Sequence, residues 1–166
     1  MSSLLSAHSG IVTRLVLLPA GSRGLRVKSI VILRVLRPGG RFIASDWLRG
    51  GSGDYSPEMM EYFRLEGIAY NMVTLEESAA ALRAAGFVDV EIRDRNAWYA
   101  ELARKELSSM EGELKPTLLS RIGPARTRHF LDNWRQLVLV LERGELRPGH
   151  LRASKPVGPR PRARAS

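Results

Sequence analysis

Leu36-Arg37-Pro38-Gly39-Gly40-Arg41-Phe42-Ile43-Ala44-Ser45-Asp46-Trp47 reads as a helix end, a tight reversal and a strand that finishes on an acid and an aromatic. Upstream, Ile30, Leu33 and Leu36 recur at helical spacing with Val31 and Val35 beside them, and Pro38 cannot continue that helix. Gly39 and Gly40 permit positive φ and a close turn. A helix that feeds a strand in this way belongs to a parallel α/β sheet, and such sheets place their chemistry at the carboxyl ends of the strands. Asp46 and Trp47 stand at one of those ends.

Working outward, Leu48 to Tyr55 is a glycine-rich loop after the strand. Its spacing does not make a phosphate cradle: a dinucleotide fingerprint needs a third glycine where Ser56 stands. The loop reads instead as a lid. Ser56-Pro57 starts a helix, serine as N-cap and proline in the first turn. On or just past that helix lie Met60 and Phe63, expected in the core, and Tyr62 and Tyr70, which suit either the core or a binding site.

Thr74-Leu75-Glu76-Glu77 is a capping box, followed by the apolar stripe Leu75, Ala79 and Leu82 and closed by Gly86. Val88, Val90 and Ile92 alternate with Asp89, Glu91 and Arg93, the period of a strand with one buried face. Two helices are expected next, from Asn96 to Leu114 and from about 124 to 142, separated by Pro116 and the Gly123-Pro124 step. Arg147-Pro148-Gly149 is read as a turn and His150 to Lys155 as a last strand.

Two of these units together resemble class I S-adenosylmethionine-dependent methyltransferases. Leu-Arg-Pro-Gly-Gly before an apolar strand looks like the approach to their fifth strand, and Thr-x-x-Glu, helix, Ala-Gly-Phe, strand looks like their sixth-strand region. With Ser45-Asp46-Trp47 the pattern is similar to the small-amine N-methyltransferases of the phosphoethanolamine and sarcosine or dimethylglycine type. The resemblance implies an α/β fold: a partial class I (Rossmann-like) sheet of strands five to seven with flanking helices, its first half missing. In it the last strand returns antiparallel beside the fifth and sixth.

The resemblance also implies S-adenosylmethionine as cofactor and a small-molecule amine as acceptor. Such enzymes hold the cofactor through a glycine-rich loop after strand one and an acid after strand two, and nothing before Leu36 matches either. An incomplete cofactor site and no independent catalysis are therefore expected. Asp46, Trp47, Tyr62 and Tyr70 are the implied substrate-binding residues. Tyr62 follows the lid-helix pattern Pro-Glu-x-x-x-Tyr, and aromatic faces with an acid suit a cationic amine. The phosphobase-binding basic residues of the phosphoethanolamine enzymes are replaced by Leu137 and Glu66, which points to an unphosphorylated acceptor. A noncatalytic binding module is the alternative from another class.

The 166 residues suit one domain with a core of its own. No cysteine is present, which excludes a disulfide framework, a zinc-thiolate site and a cysteine nucleophile and fits a cytoplasmic location. No apolar run reaches the ~20 residues needed to span a bilayer. His8, His129 and His150 are far apart and show no metal-ligand spacing.

The net charge of +9 sits at the ends: residues 1–45 carry seven bases and no acid, and residues 143–166 carry seven bases against Glu145, leaving a net −4 between them. That placement argues against a general nucleic-acid groove, although the basic termini could hold polyanions nonspecifically. The expected organisation is a poorly ordered leader over 1–28, a half-domain over 29–156 and a disordered basic tail over 157–166. The half-sheet would leave an open edge for self-association.

Overall fold

The turn at Pro38 to Gly40 is tied into the fold from both sides. The structure, a computed structural model, describes residues 22–67 and 71–158. Helix α1 (Ser22–Val35) ends before Pro38, and strand β1 (Arg41–Arg49) begins after it. The Gly40 N–H donates to the Arg37 carbonyl at 2.8 Å. Lys155 clamps the same turn, its N–H donating to the Gly40 carbonyl at 2.8 Å and its ammonium to the Leu36 carbonyl at 2.7 Å.

The remaining elements are α2 (Pro57–Glu66), α3 (Leu75–Ala85), β2 (Val88–Asp94), α4 (Asn96–Glu111), α5 (Lys115–Glu142) and β3 (Leu146–Ser154). The sheet order is β1-β3-β2, with β3 antiparallel to both neighbours. β1 and β2 therefore run parallel to each other, and their carboxyl ends lie at the same end of the sheet. This is the fifth, seventh, sixth strand arrangement expected of the class I sheet.

Two cores flank this sheet. Phe42, Ala44 and Leu48 of β1 pack with Leu151 and Ala153 of β3 against Ile32, Leu36, Leu75 and Leu82. The second core joins α2, α4 and α5 through Met59, Tyr62, Phe63, Ala103, Leu137 and Leu141. Gly149 marks where the first core is tightest, because a Cβ there would lie 2.6 Å from Leu75 Cδ2 and 3.1 Å from Leu48 Cδ1. Only a residue without a side chain lets β3 pass beneath Leu75.

Several boundaries and faces differ from the sequence expectation. Helix α1 starts at Ser22, inside the stretch read as leader, and buries Ser29, Ile32 and Leu36 while Ile30, Val31 and Val35 face outward. The small Ser29 sets the phase that a reading of large apolar residues misses. Met60 is exposed at 54%, because the buried face of α2 is Met59, Tyr62 and Phe63.

β3 runs through Arg147-Pro148-Gly149 instead of turning there, and the reversal occurs at Gly144, whose N–H donates to the Leu141 carbonyl. Pro148 lacks one ladder donor, but its carbonyl still accepts the Arg95 N–H at 2.9 Å. β2 buries little: it lies at the sheet edge, with a bulge between Val88 and Glu91, and only Val90 packs on the core. Lys115 to Glu142 forms one helical run broken at Gly123 (φ 78°, ψ 165°), with Pro116 in its first turn and Pro124 after the break.

Candidate functional site at the carboxyl end of the first strand

β1 delivers Asp46 and Trp47 to the end of the sheet where β2 also finishes. The chain leaves β2 at Asp94 and immediately starts α4, so Arg95, Trp98 and Tyr99 lie at the same end. The Asp94 carboxylate accepts the Asn96 N–H at 2.7 Å and fixes that entry. Trp47 meets Tyr99 edge to face, with ring centroids 5.0 Å apart and planes at 83°. Trp98 lies 6.1 Å from Tyr99, and the Arg95 guanidinium caps the Trp98 ring at 4.3 Å.

The loop after β1 is the second component of this end. Arg49 lies over the Tyr55 ring at 4.1 Å and donates to the Gly53 carbonyl. Tyr55 in turn accepts the Met72 N–H at 3.0 Å and packs edge-on against Phe63 at 5.0 Å. The loop is thus held down at Arg49 and Tyr55. Trp47 remains 39% exposed and Trp98 52%, so an aromatic surface faces solvent at this end of the sheet.

Two polar groups at this end are set by their surroundings. Asp46 Oδ1 accepts the Trp47 N–H at 2.9 Å, which fixes the carboxylate against the strand end. Burial raises the Tyr99 pKa, and the negative charge of Glu106 raises it further, so the phenol keeps its proton. Aromatic faces with a nearby carboxylate attract ammonium groups and exclude water from them.

Of the sequence-derived site residues, the three that are described divide between the strand end and the second core. Asp46 and Trp47 stand at the strand end as expected. Tyr62 is 5% exposed, inside the second core, with its ring 6.2 Å from Phe63. Tyr70 lies outside the described residues. Tyr99, Trp98 and Arg95 were not singled out, because their helix reads as scaffold. The available signal was positional: adjacent aromatics one turn after a strand parallel to β1 must arrive where β1 ends.

Gly50 offers the fit test for the implied cofactor. A Cβ on Gly50 would overlap the Gly144 carbonyl oxygen, and the Gly50 N–H donates to the Glu145 carbonyl at 2.9 Å. This glycine serves chain packing between β1 and β3. Around Gly51 and Gly53 a Cβ would meet nothing within 4 Å, so these two form no close cradle. This loop therefore does not form a glycine cradle that fits S-adenosylmethionine. Among the described residues no group of three or more His, Asp or Glu could hold a metal ion, and no helix is long and apolar enough to cross a membrane.

Solved structures place this geometry. The Haemonchus contortus phosphoethanolamine N-methyltransferase 2, in complex with phosphomonomethylethanolamine and S-adenosylhomocysteine, superposes with a TM-score of 0.69 at 21% identity, over 79% of this chain and 30% of that one. A putative sarcosine dimethylglycine methyltransferase from Galdieria sulphuraria superposes with a TM-score of 0.66 at 16% identity, over 84% of this chain and 50% of that one. The chain has the fold of the C-terminal part of a class I S-adenosylmethionine-dependent methyltransferase.

In sequence it is similar to phosphoethanolamine N-methyltransferase 1 of Arabidopsis thaliana, 32% identical over 78 residues, which are 47% of this chain and 15% of that protein. The chain thus matches a small part of that relative's length and 30 to 50% of these solved neighbours'. No protein-family model matches it.

Proposed function

We propose that the chain supplies the amine-acceptor side of an S-adenosylmethionine-dependent N-methyltransferase and does not transfer methyl groups by itself. The observation that carries this reading is the Trp47–Tyr99 edge contact at 5.0 Å at the carboxyl end of β1, where Asp46 precedes Trp47 in the chain. An amine arriving there meets aromatic surface for its cationic form and a carboxylate for its N–H groups. The acceptor is a small unphosphorylated amine: Arg64 and Arg135, the arginines near the expected phosphate positions, are paired with Glu61 and with Glu111 and Asp132.

The second half of the proposal rests on the packing role of Gly50. Held against Gly144, it does not replace the glycine-rich loop and acid that hold the cofactor in the resembled enzymes, which have no counterpart before Leu36. A chain without cysteine suits a reducing, cytoplasmic setting.

Titration calorimetry tests both halves. S-adenosylmethionine is expected to give no saturable heat with this chain, whereas tetramethylammonium is expected to bind weakly and to lose that binding in Trp47→Ala. Micromolar cofactor binding would overturn the claim that the chain is not self-sufficient. Absence of tetramethylammonium binding, or binding that Trp47→Ala leaves unchanged, would overturn the amine reading and leave a noncatalytic module.

A further inference from the structure

The start of helix α5 contributes nothing to the buried core. Its first buried residue is Thr127, and Gly123, left-handed at φ 78°, breaks the helix before that point. Ahead of the break Leu114, Leu119 and Ile122 are all exposed. Single exposed apolar residues are ordinary, but three so close together in a segment with no buried residue make a surface.

Helical spacing sorts this surface. Leu114, Leu118 and Ile122 recur every four residues with Leu119 next to them, while Thr117, Ser120 and Arg121 fall on the other side. The charge is of one sign. From Leu114 to Leu131 the sequence holds four bases, Lys115, Arg121, Arg126 and Arg128, and no acid. Among the described residues none of the four forms an ion pair, whereas Arg64, Arg104, Arg135, Arg143 and Arg152 each hold a carboxylate. Of the flanking acids Glu111, Glu113 and Asp132, the first and last are held by Arg135. The cations of this segment are therefore left for an external anion.

The chemistry of the partner follows from the two kinds of side chain. Exposed leucine and isoleucine gain by entering an apolar phase, and unpaired cations beside them gain by meeting anions at its boundary. A nucleic-acid backbone supplies only the anions. An anionic lipid surface supplies both, within the ~5 to 10 Å depth at which interfacial helices lie. We propose that the segment from Leu114 to Arg128 attaches the chain to an anionic lipid bilayer. Leu114, Leu119 and Ile122 enter the acyl boundary, while Arg121, Arg126 and Arg128 stay at the headgroups. Lys115, on the apolar side, reaches the headgroups along its own methylene stem. This is attachment to the surface, since no described helix is long and apolar enough to cross a membrane.

The basic ends of the chain also adsorb to anionic vesicles, so the test must read the segment itself. The sequence contains no cysteine, and Leu119→Cys in the full chain therefore carries a single polarity-sensitive fluorophore. Its emission should move to shorter wavelength on vesicles of equal parts phosphatidylserine and phosphatidylcholine, and stay unchanged on phosphatidylcholine alone. In co-sedimentation of the unlabelled chain, Arg121→Gln with Arg126→Gln should weaken partitioning into the mixed vesicles about tenfold or more. Leu119→Ser with Ile122→Ser should do the same through lost apolar contact. All four residues are exposed, so both variants should keep the circular dichroism of the parent. An unmoved emission, or partitioning that either pair leaves unchanged, would overturn the proposal. Polyglutamate that moves the emission as far as the vesicles do would also overturn it, in favour of an acidic protein partner. Asp46, Trp47 and Tyr99 are untouched throughout, so this inference and the acceptor reading fail separately.

Discussion

Glu145 ties together three parts of the chain that meet only after folding. It lies in the reversal between α5 and β3, and its carboxylate accepts from Arg143 Nε at 2.6 Å, while Arg143 also reaches Glu58 of α2 at 2.9 Å. Burial alone would raise its pKa, but hydrogen bonds from Ser56 and Arg143 outweigh that effect and hold it below the usual carboxylate range. Ser56 is the N-cap of α2, accepting the Met59 N–H at 3.0 Å, so Glu145 braces a helix start far away in sequence. A depressed folded pKa means that the stabilisation is complete above the unfolded value of about 4.3 and is lost as pH falls through the folded value. Glu145→Gln should therefore be less stable than the parent at neutral pH, and urea unfolding in acid should find the two nearly equal. A gap that stays constant with pH would contradict the assignment.

At the scale of elements, α3 is the most locally determined. Thr74 Oγ1 accepts the Glu77 N–H at 3.1 Å while Glu77 Oε2 accepts the Thr74 N–H at 2.8 Å, and Gly86 closes the helix at φ 102°. Thr74→Ala should lower stability by about 1 kcal/mol, seen as a reduced denaturation midpoint at unchanged slope. An unchanged midpoint would mean that tertiary packing alone holds the helix end. Elements written in this local way were legible in the sequence: the Pro38 stop, the Ser56-Pro57 start and the Thr74 box all stand where the residues put them. β3 was not, because Pro148 and Gly149 look like a turn unless one knows that Leu48 and Leu75 leave no room above Gly149. The phase of α1 was hidden for a similar reason, since Ser29 is buried only by its neighbours. The candidate site divides the same way. Asp46 and Trp47 follow from one strand, whereas Tyr99 joins them only because β3 sets β1 and β2 parallel, and Tyr62 faces the core because α2 packs on α5.

For the whole molecule, the decisive feature is how the sheet ends. Among the described residues β1 pairs with β3 on one side and with no strand on the other, and β2 forms the opposite edge. The two edges differ in character. β2 carries Asp89, Glu91, Arg93 and Asp94 along seven residues and is bent by its bulge, features that discourage pairing. β1 is nine residues long without a bulge, and its centre, Ile43-Ala44-Ser45, is uncharged, with Ile43 47% exposed. Its charges, Arg41, Asp46 and Arg49, leave the run from Phe42 to Ser45 unguarded. We propose that the chain self-associates through β1, strand against strand. Sedimentation velocity should then find the mean mass rising with concentration, and Ile43→Lys, which puts a charge at the centre of the free edge, should restore a monomer. A parent chain that stays monodisperse and monomeric at every concentration would count against an open edge in solution. Association that persists in Ile43→Lys would move the contact away from β1, with the outward Val31 and Val35 of α1 as the next surface to change.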